Sequence, residues 1–154
     1  MSDATIPAAL LLDLGGVLVD VRDRPHGIAE ASEHVHTLIA RSSGVPLEPA
    51  RVQADLCAGL RAYREWKHAE GRRPRPREIG YREFWEKLVA ADWPRPARSA
   101  VVSHAAVLCE MLDVVTKDRV PNDGALELLR RVASLGIRCG IVSNALGADR
   151  KSVV

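Results

Sequence analysis

Residues 8–16 read AALLLDLGG. An apolar run with no polar alternation drives into a carboxylate, Asp13, and two glycines follow almost at once. Such a run is what a parallel strand covered on both faces requires. Strands of that kind are buried by helices packed on the sheet, which puts the chain in the α/β class. Residues 8–14 are therefore expected to form a buried strand that Gly15 and Gly16 end. Residues 17–20, VLVD, are expected to lead out into a polar turn.

A similar texture returns late in the chain. In PNDGALELLRRVASLG, residues 121–136, Asn122 and Asp123 are N-cap candidates. Leu126, Leu129, Val132 and Ala133 make a helical stripe, and Gly136 suits the position just past the helix end. IRCGIVSN, residues 137–144, then reads as a second strand ending in Ser143 and Asn144. Strand, crossover and strand imply a right-handed parallel pair. Open parallel sheets hold their ligands at the carboxyl ends of the strands, where Asp13, Ser143 and Asn144 all fall. A carboxylate there can serve as nucleophile or metal ligand. The glycines let backbone N–H groups approach a bound anion with no Cβ in the way. A phosphoryl group is the natural substrate for such a constellation.

Between the two strands lie about ninety residues of helical texture. One helix is expected from Pro25, with Ile28, Val35, Leu38 and Ile39 as its stripe and Gly44 as its stop. A second is expected over residues 48–70, with Val52, Leu56, Leu60 and Tyr63 inward and Gly71 as cap. RRPRPRE reads as a loop. A third helix over residues 80–90 carries Tyr81, Phe84, Trp85 and Leu88, and DWPRP breaks it. A fourth over residues 97–115 carries Val101, Ala105, Leu108, Leu112 and Val115.

The length of 154 residues suits one ordinary domain, able to bury roughly 68–70% of its unfolded surface. A composition of 47% hydrophobic and 27% charged residues is that of a soluble globular chain. The formal charge of +2 makes no global case for nucleic acid or a membrane as partner. The arginines of RRPRPR are expected to be solvated, and the aromatics around them, at helical spacing, to be core rather than a base-stacking surface. Cys57, Cys109 and Cys139 are odd in number and widely spaced, with no CxxC, a reduced, intracellular pattern rather than a disulfide frame or zinc site. His34 and His36, two apart on a helix, face different ways and make no metal pair. No apolar run approaches the ~18 residues of a membrane helix, so a cytoplasmic location is expected.

LLLDLGGVLVD and GIRCGIVSNALG resemble motifs I and II of the haloacid dehalogenase (HAD) superfamily. The block between them lies where that family inserts a helical cap, so the resemblance spans essentially the whole chain in the right order. It implies a partial Rossmann-like HAD core of parallel strands, residues 1–20 and 118–154, with an inserted α-helical cap, residues 21–117. It also implies Mg²⁺-dependent hydrolysis of a small phosphorylated substrate through an aspartyl-phosphate on Asp13. By the same resemblance Asp13 is nucleophile and Mg²⁺ ligand, and the carbonyl of Gly15 is a second ligand. The backbone amides of Leu14 and Gly15, with Ser143, hold the phosphoryl oxygens, and Asn144 is a neighbouring site residue.

Two departures from the family pattern shape the expectation. Family phosphatases usually carry an acid two residues after the nucleophile, where this chain has Gly15. The general acid is then unassigned, and Asp20 is expected at the cap hinge. The family also places a motif III lysine and a motif IV acidic pair after motif II. Lys151 stands too close to Ser143 to match the lysine, and Asp149 does not end a recognisable strand. The core is therefore expected to be truncated after motif II and its catalysis impaired, with an open sheet edge through which a homo-oligomer could form. The alternative is a non-catalytic binding or regulatory remnant of such a protein. A hydrolytic dehalogenase fits less well, because Gly15 replaces the aromatic residue usual in that branch.

Overall fold

The computed structural model describes residues 7–142. Within them the chain is mixed α/β, with six helices and a small two-stranded parallel sheet. It divides into two compact units, Asp23–Lys117 and a unit made of Met1–Arg22 with Asp118–Val154.

In the split unit, β1 (Ala9–Asp13) pairs in parallel with the last described strand, which runs Arg138–Val142. The register sets Ala9 opposite Arg138, Leu11 opposite Gly140 and Asp13 opposite Val142. The expected parallel pair is therefore present, but its burial differs from expectation. β1 alternates: Leu10 and Leu12 are half-buried, while Leu11 is 77% exposed and shares its face with the exposed Asp13. The continuous apolar run signals a strand covered on both faces, and among the described residues only one face is half-covered. Leu11 leans over its partner instead. A Cβ added at Gly140 would meet Leu11 Cδ2 at 2.8 Å, so the bare backbone of Gly140 makes room for it.

The second strand, β2 (Val19–Asp23), stands where a turn was expected. Its VDVRD sequence alternates apolar and polar residues at the strand period. It pairs with β3 (Lys117–Pro121) in a second two-stranded sheet. Arg24 N–H donates to Thr116 O at one end and Asn122 N–H to Leu18 O at the other, so the two strands run in opposite directions. Lys117 Nζ donates to the Asp23 carboxylate. That bond, helped by the charges of Lys117 and Arg64, holds the Asp23 carboxyl below the usual range.

The continuous unit is helical. Helix α1 (Gly27–Ser43) buries Val35 and Ile39 from its expected stripe and ends at Gly44, left-handed at φ 64°. Helix α2 (Pro49–Glu70) buries Val52, Leu56 and Tyr63. The third helix departs from regularity. One turn, α3 (Tyr81–Glu83), runs on as a π-helix over Phe84–Val89. The wider turn, in which Ala90 N–H reaches Trp85 O at 2.8 Å, accommodates two adjacent and fully buried rings, Phe84 and Trp85.

The fourth expected helix is two helices, α4 (Arg95–Ser103) and α5 (Ala105–Thr116), bent by 74° at His104. No proline or glycine marks the break. Ser103 Oγ donates to Ala100 O (2.9 Å), the His104 ring lies 2.9 Å from the same oxygen, and His104 N–H turns back to Val101 O. Such local side-chain bonds compete with the helical ladder. No single helix is long and apolar enough to cross a membrane. The bent pair α4–α5 has the length and composition, but Val101, Ala105, Leu108 and Leu112 are buried.

Helix α6 (Ala125–Ser134) leads into the final strand, β4 (Arg138–Val142). Past its end Gly136 is left-handed at φ 69°. Gly136 N–H donates to Ala133 O and Ile137 N–H to Val132 O, the Schellman closure. Its expected core stripe is only partly realised. Val132 is buried, but Leu126 is 57% exposed. The N-cap is Gly124, with no side-chain capping bond, so neither Asn122 nor Asp123 caps the helix.

Candidate functional site

Asp13 is the last residue of β1, at the carboxyl end of the parallel pair and on its open face. Among the described residues no hydrogen bond or ion pair holds its carboxylate, and the side chain is exposed rather than partly desolvated.

The turn that follows is tightly bonded. Leu14 O accepts from both Leu18 N–H (3.1 Å) and Val19 N–H (2.9 Å), and Gly16 N–H donates to Val19 O (2.7 Å). Gly16 is left-handed at φ 77°, a conformation that a Cβ would strain. Leu14 N–H donates to Val142 O (3.1 Å) and so extends the ladder. That amide is engaged, whereas Gly15 N–H and C=O make no hydrogen bond among the described residues. A Cβ at Gly15 would meet nothing within 4 Å, so the space beside this peptide is open. An unengaged donor and acceptor thus stand two residues from an unengaged carboxylate.

Asp20 is turned to another use. Its carboxylate accepts from Arg22 Nε at 2.7 Å in an exposed ion pair. Ser143 and Asn144 follow Val142, the register partner of Asp13, but lie outside the described residues.

Sequence reasoning missed one positioning residue. Asn122, considered there only as a helix cap, donates through Nδ2 to Val17 O (2.9 Å) and through its backbone N–H to Leu18 O (2.9 Å). It therefore holds the far side of the turn that begins at Asp13. The signal was available only as a polar amide side chain beside a chain reversal. Asn122→Ala is expected to lose one exposed hydrogen bond, about 1 kcal/mol. The measurement is hydrogen exchange of the Leu18 and Val19 amides, which should quicken several-fold while α1 and α2 amides stay unchanged.

As for a metal, Asp13 and Gly15 could offer two oxygens of the six that Mg²⁺ prefers. No group of three His, Cys, Asp or Glu side chains gathers among the described residues. Those residues do not by themselves fit the ion.

No family model matches the chain, and no curated protein matches it at a significant level.

Proposed function

We propose that the chain is a HAD-like hydrolase in which Asp13 is the phosphoryl-accepting carboxylate, acting on a small phosphomonoester. The observation that carries the reading is the placement of Asp13. It is an unengaged carboxylate at the carboxyl end of a parallel strand, followed by the unengaged Gly15 peptide. The motif resemblance supplies the chemistry, and a Rossmann-like HAD core with a helical cap is the finer fold that goes with it.

In this reading a carboxylate oxygen of Asp13 attacks phosphorus. An O–P bond forms to Asp13 as the P–O bond to the alcohol breaks. Gly15 N–H donates to a phosphoryl oxygen, where charge builds, and its bond strengthens there. The leaving alkoxide takes its proton from water, because no acid stands at position 15 and Asp20 is paired with Arg22. Water then attacks the acyl phosphate and releases inorganic phosphate and free Asp13. Ser143 is assigned a second phosphoryl contact and Asn144 a neighbouring position. The Mg²⁺ expected from the resemblance needs ligands beyond Asp13 and Gly15, and turnover needs a cation to balance the aspartyl-phosphate. Slow turnover with a detectable first step is the expected behaviour.

The test does not depend on turnover. The protein is mixed with acetyl phosphate and Mg²⁺, then reduced with borohydride, which converts an aspartyl-phosphate to homoserine. Peptide mass spectrometry should find homoserine at position 13, and Asp13→Asn should abolish it. Labelling elsewhere, or none with several phosphate donors, sinks the proposal.

A second reading is favoured by a different observation. Leu11, Ile141 and Val142 are exposed on a two-stranded sheet, and two strands alone are marginal in water. In that reading the sheet pairs edge to edge with another copy, and the protein is a non-catalytic binding module. A discrete dimer in sedimentation, split by Leu11→Lys, together with no labelling of Asp13, would favour it.

A further inference from the structure

We propose that the C-terminal half of α2 and the loop after it form a binding site for a compact multivalent phosphate ligand. Charge is segregated there. Residues 61–77 hold seven of the 22 Lys and Arg and two of the 20 Asp and Glu, in a chain whose formal charge is only +2. An open groove of about 470 Å³ is lined by Arg64, Lys67, His68, Gly71 and Arg72. The first four stand at i, i+3, i+4 and i+7, one face of the helix.

Two groups of cations stand out in this stretch. Arg73 and Arg77 are structural. Arg73 pairs with the buried Glu70 (3.0 Å), and the other Glu70 oxygen accepts from Arg77 N–H (2.9 Å). The Arg77 guanidinium grips Glu83 with two bonds of 3.0 Å and lies over Trp66. These contacts fix the proline-broken loop while both side chains stay more than half exposed, as the sequence led us to expect. Arg64, Lys67, His68 and Arg72 are exposed and make no ion pair or side-chain hydrogen bond among the described residues, although the charge of Arg64 reaches Asp23.

Like charges at helical neighbour spacing destabilise a helix, and an anion in the groove relieves that repulsion. Lys67 O, Ala69 O and Glu70 O already accept from Gly71, Arg72 and Arg73 N–H. Two features set the ligand class. The cations span about two helical turns, roughly 12 Å, more than one phosphate covers. No Phe, Tyr or Trp lines the groove, so the stacking platform that a single-stranded nucleic acid needs is reduced to the single small ring of His68. A small oligophosphate, free or as a polyphosphorylated headgroup, meets both conditions.

Calorimetric titration of the 154-residue protein at low salt tests this. Tripolyphosphate should bind more tightly than pyrophosphate, and pyrophosphate more tightly than orthophosphate. Arg64→Gln with Lys67→Gln should weaken tripolyphosphate about tenfold or more, each lost charge contact being a several-fold effect. Arg82→Gln, an exposed arginine away from the groove, and Asp13→Asn should bind as the parent does. Retention in Asp13→Asn separates this site from the phosphoryl-transfer reading. Should the double variant fail to melt cooperatively, Arg72→Gln alone carries the same expectation. Vesicles with and without a phosphoinositide distinguish the two sources, since tighter binding to the former assigns the headgroup. Equal affinity for all three phosphates, unchanged binding in the double variant, or tighter binding of an oligothymidylate overturns the proposal.

Discussion

Replacing Trp85 with alanine is expected to destabilise the helical unit by about 3–5 kcal/mol, read as a fall in the midpoint of urea unfolding. Trp85 is fully buried and sits at the inner end of a chain of ring contacts. It meets Phe84 edge-on (5.5 Å, 82°), and Phe84 meets Tyr63 edge-on (5.8 Å, 84°). Tyr63 stacks on Trp66 (6.1 Å, 24°), which Arg77 covers. Alanine leaves a large cavity that the surrounding buried side chains cannot collapse to fill. Trp85→Phe separates volume from polarity. The buried Trp85 Nε1–H has no hydrogen-bond partner of ordinary geometry and leans on the Cys109 sulphur, a weak acceptor. Burial pushes that thiol up to about 12, so it stays protonated at neutral pH. Phenylalanine loses ring volume but removes a poorly satisfied donor, and its cost should stay under about 2 kcal/mol. A phenylalanine variant as unstable as the alanine variant would show that the indole N–H is well satisfied.

The helices were legible because their apolar residues recur at the helical period and fall beside glycine stops. Val35, Ile39, Leu56, Leu108 and Leu112 are buried as their spacing requires, and Gly44 and Gly136 are left-handed where a helix ends. What escaped was set by local competition or by tertiary packing. The bend at His104 comes from Ser103 and His104 competing for one carbonyl, which no hydrophobic pattern reports. The π-helix comes from burying two neighbouring rings at once. β1 misled in the opposite direction, since its run of leucines says what could be buried and not what covers it.

The sequence placed Asp13 at the end of a strand with a glycine turn after it, because a carboxylate ending an apolar run is a local pattern. It could not divide the backbone amides. Leu14 N–H continues the ladder to Val142 and Gly15 N–H does not, a distinction that depends on register between residues far apart in the chain. Nor could it find Asn122, whose role exists only because the start of α6 returns beside residues 17 and 18. The loop arginines are exposed, as their proline-broken sequence predicts, but only the paired geometry shows that Arg73 and Arg77 are also held by Glu70 and Glu83.

Gly27→Ala is expected to cost about 2–3 kcal/mol, although alanine is the better helix former by about 1 kcal/mol. Gly27 opens α1 and is buried against the end of α5. A Cβ there would clash with Val115 O and stand 2.6 Å from Thr116 Cα. Both are backbone atoms, so no rotamer change relieves the clash and the two helices must part. Val35 and Ile39 on α1 and Leu112 and Val115 on α5 would then lose packing together. Gly71→Ala is the matched comparison. Its φ is −60°, its nearest contact would be Lys67 O at 3.4 Å, and alanine there restricts the unfolded chain. That variant should equal the parent or gain up to about 1 kcal/mol. Urea unfolding of both variants decides the matter. A Gly27→Ala protein as stable as Gly71→Ala would mean that α1 and α5 do not approach this closely in solution. The opposite signs expected here follow from backbone contact alone, since both substitutions add the same methyl group to a helical segment.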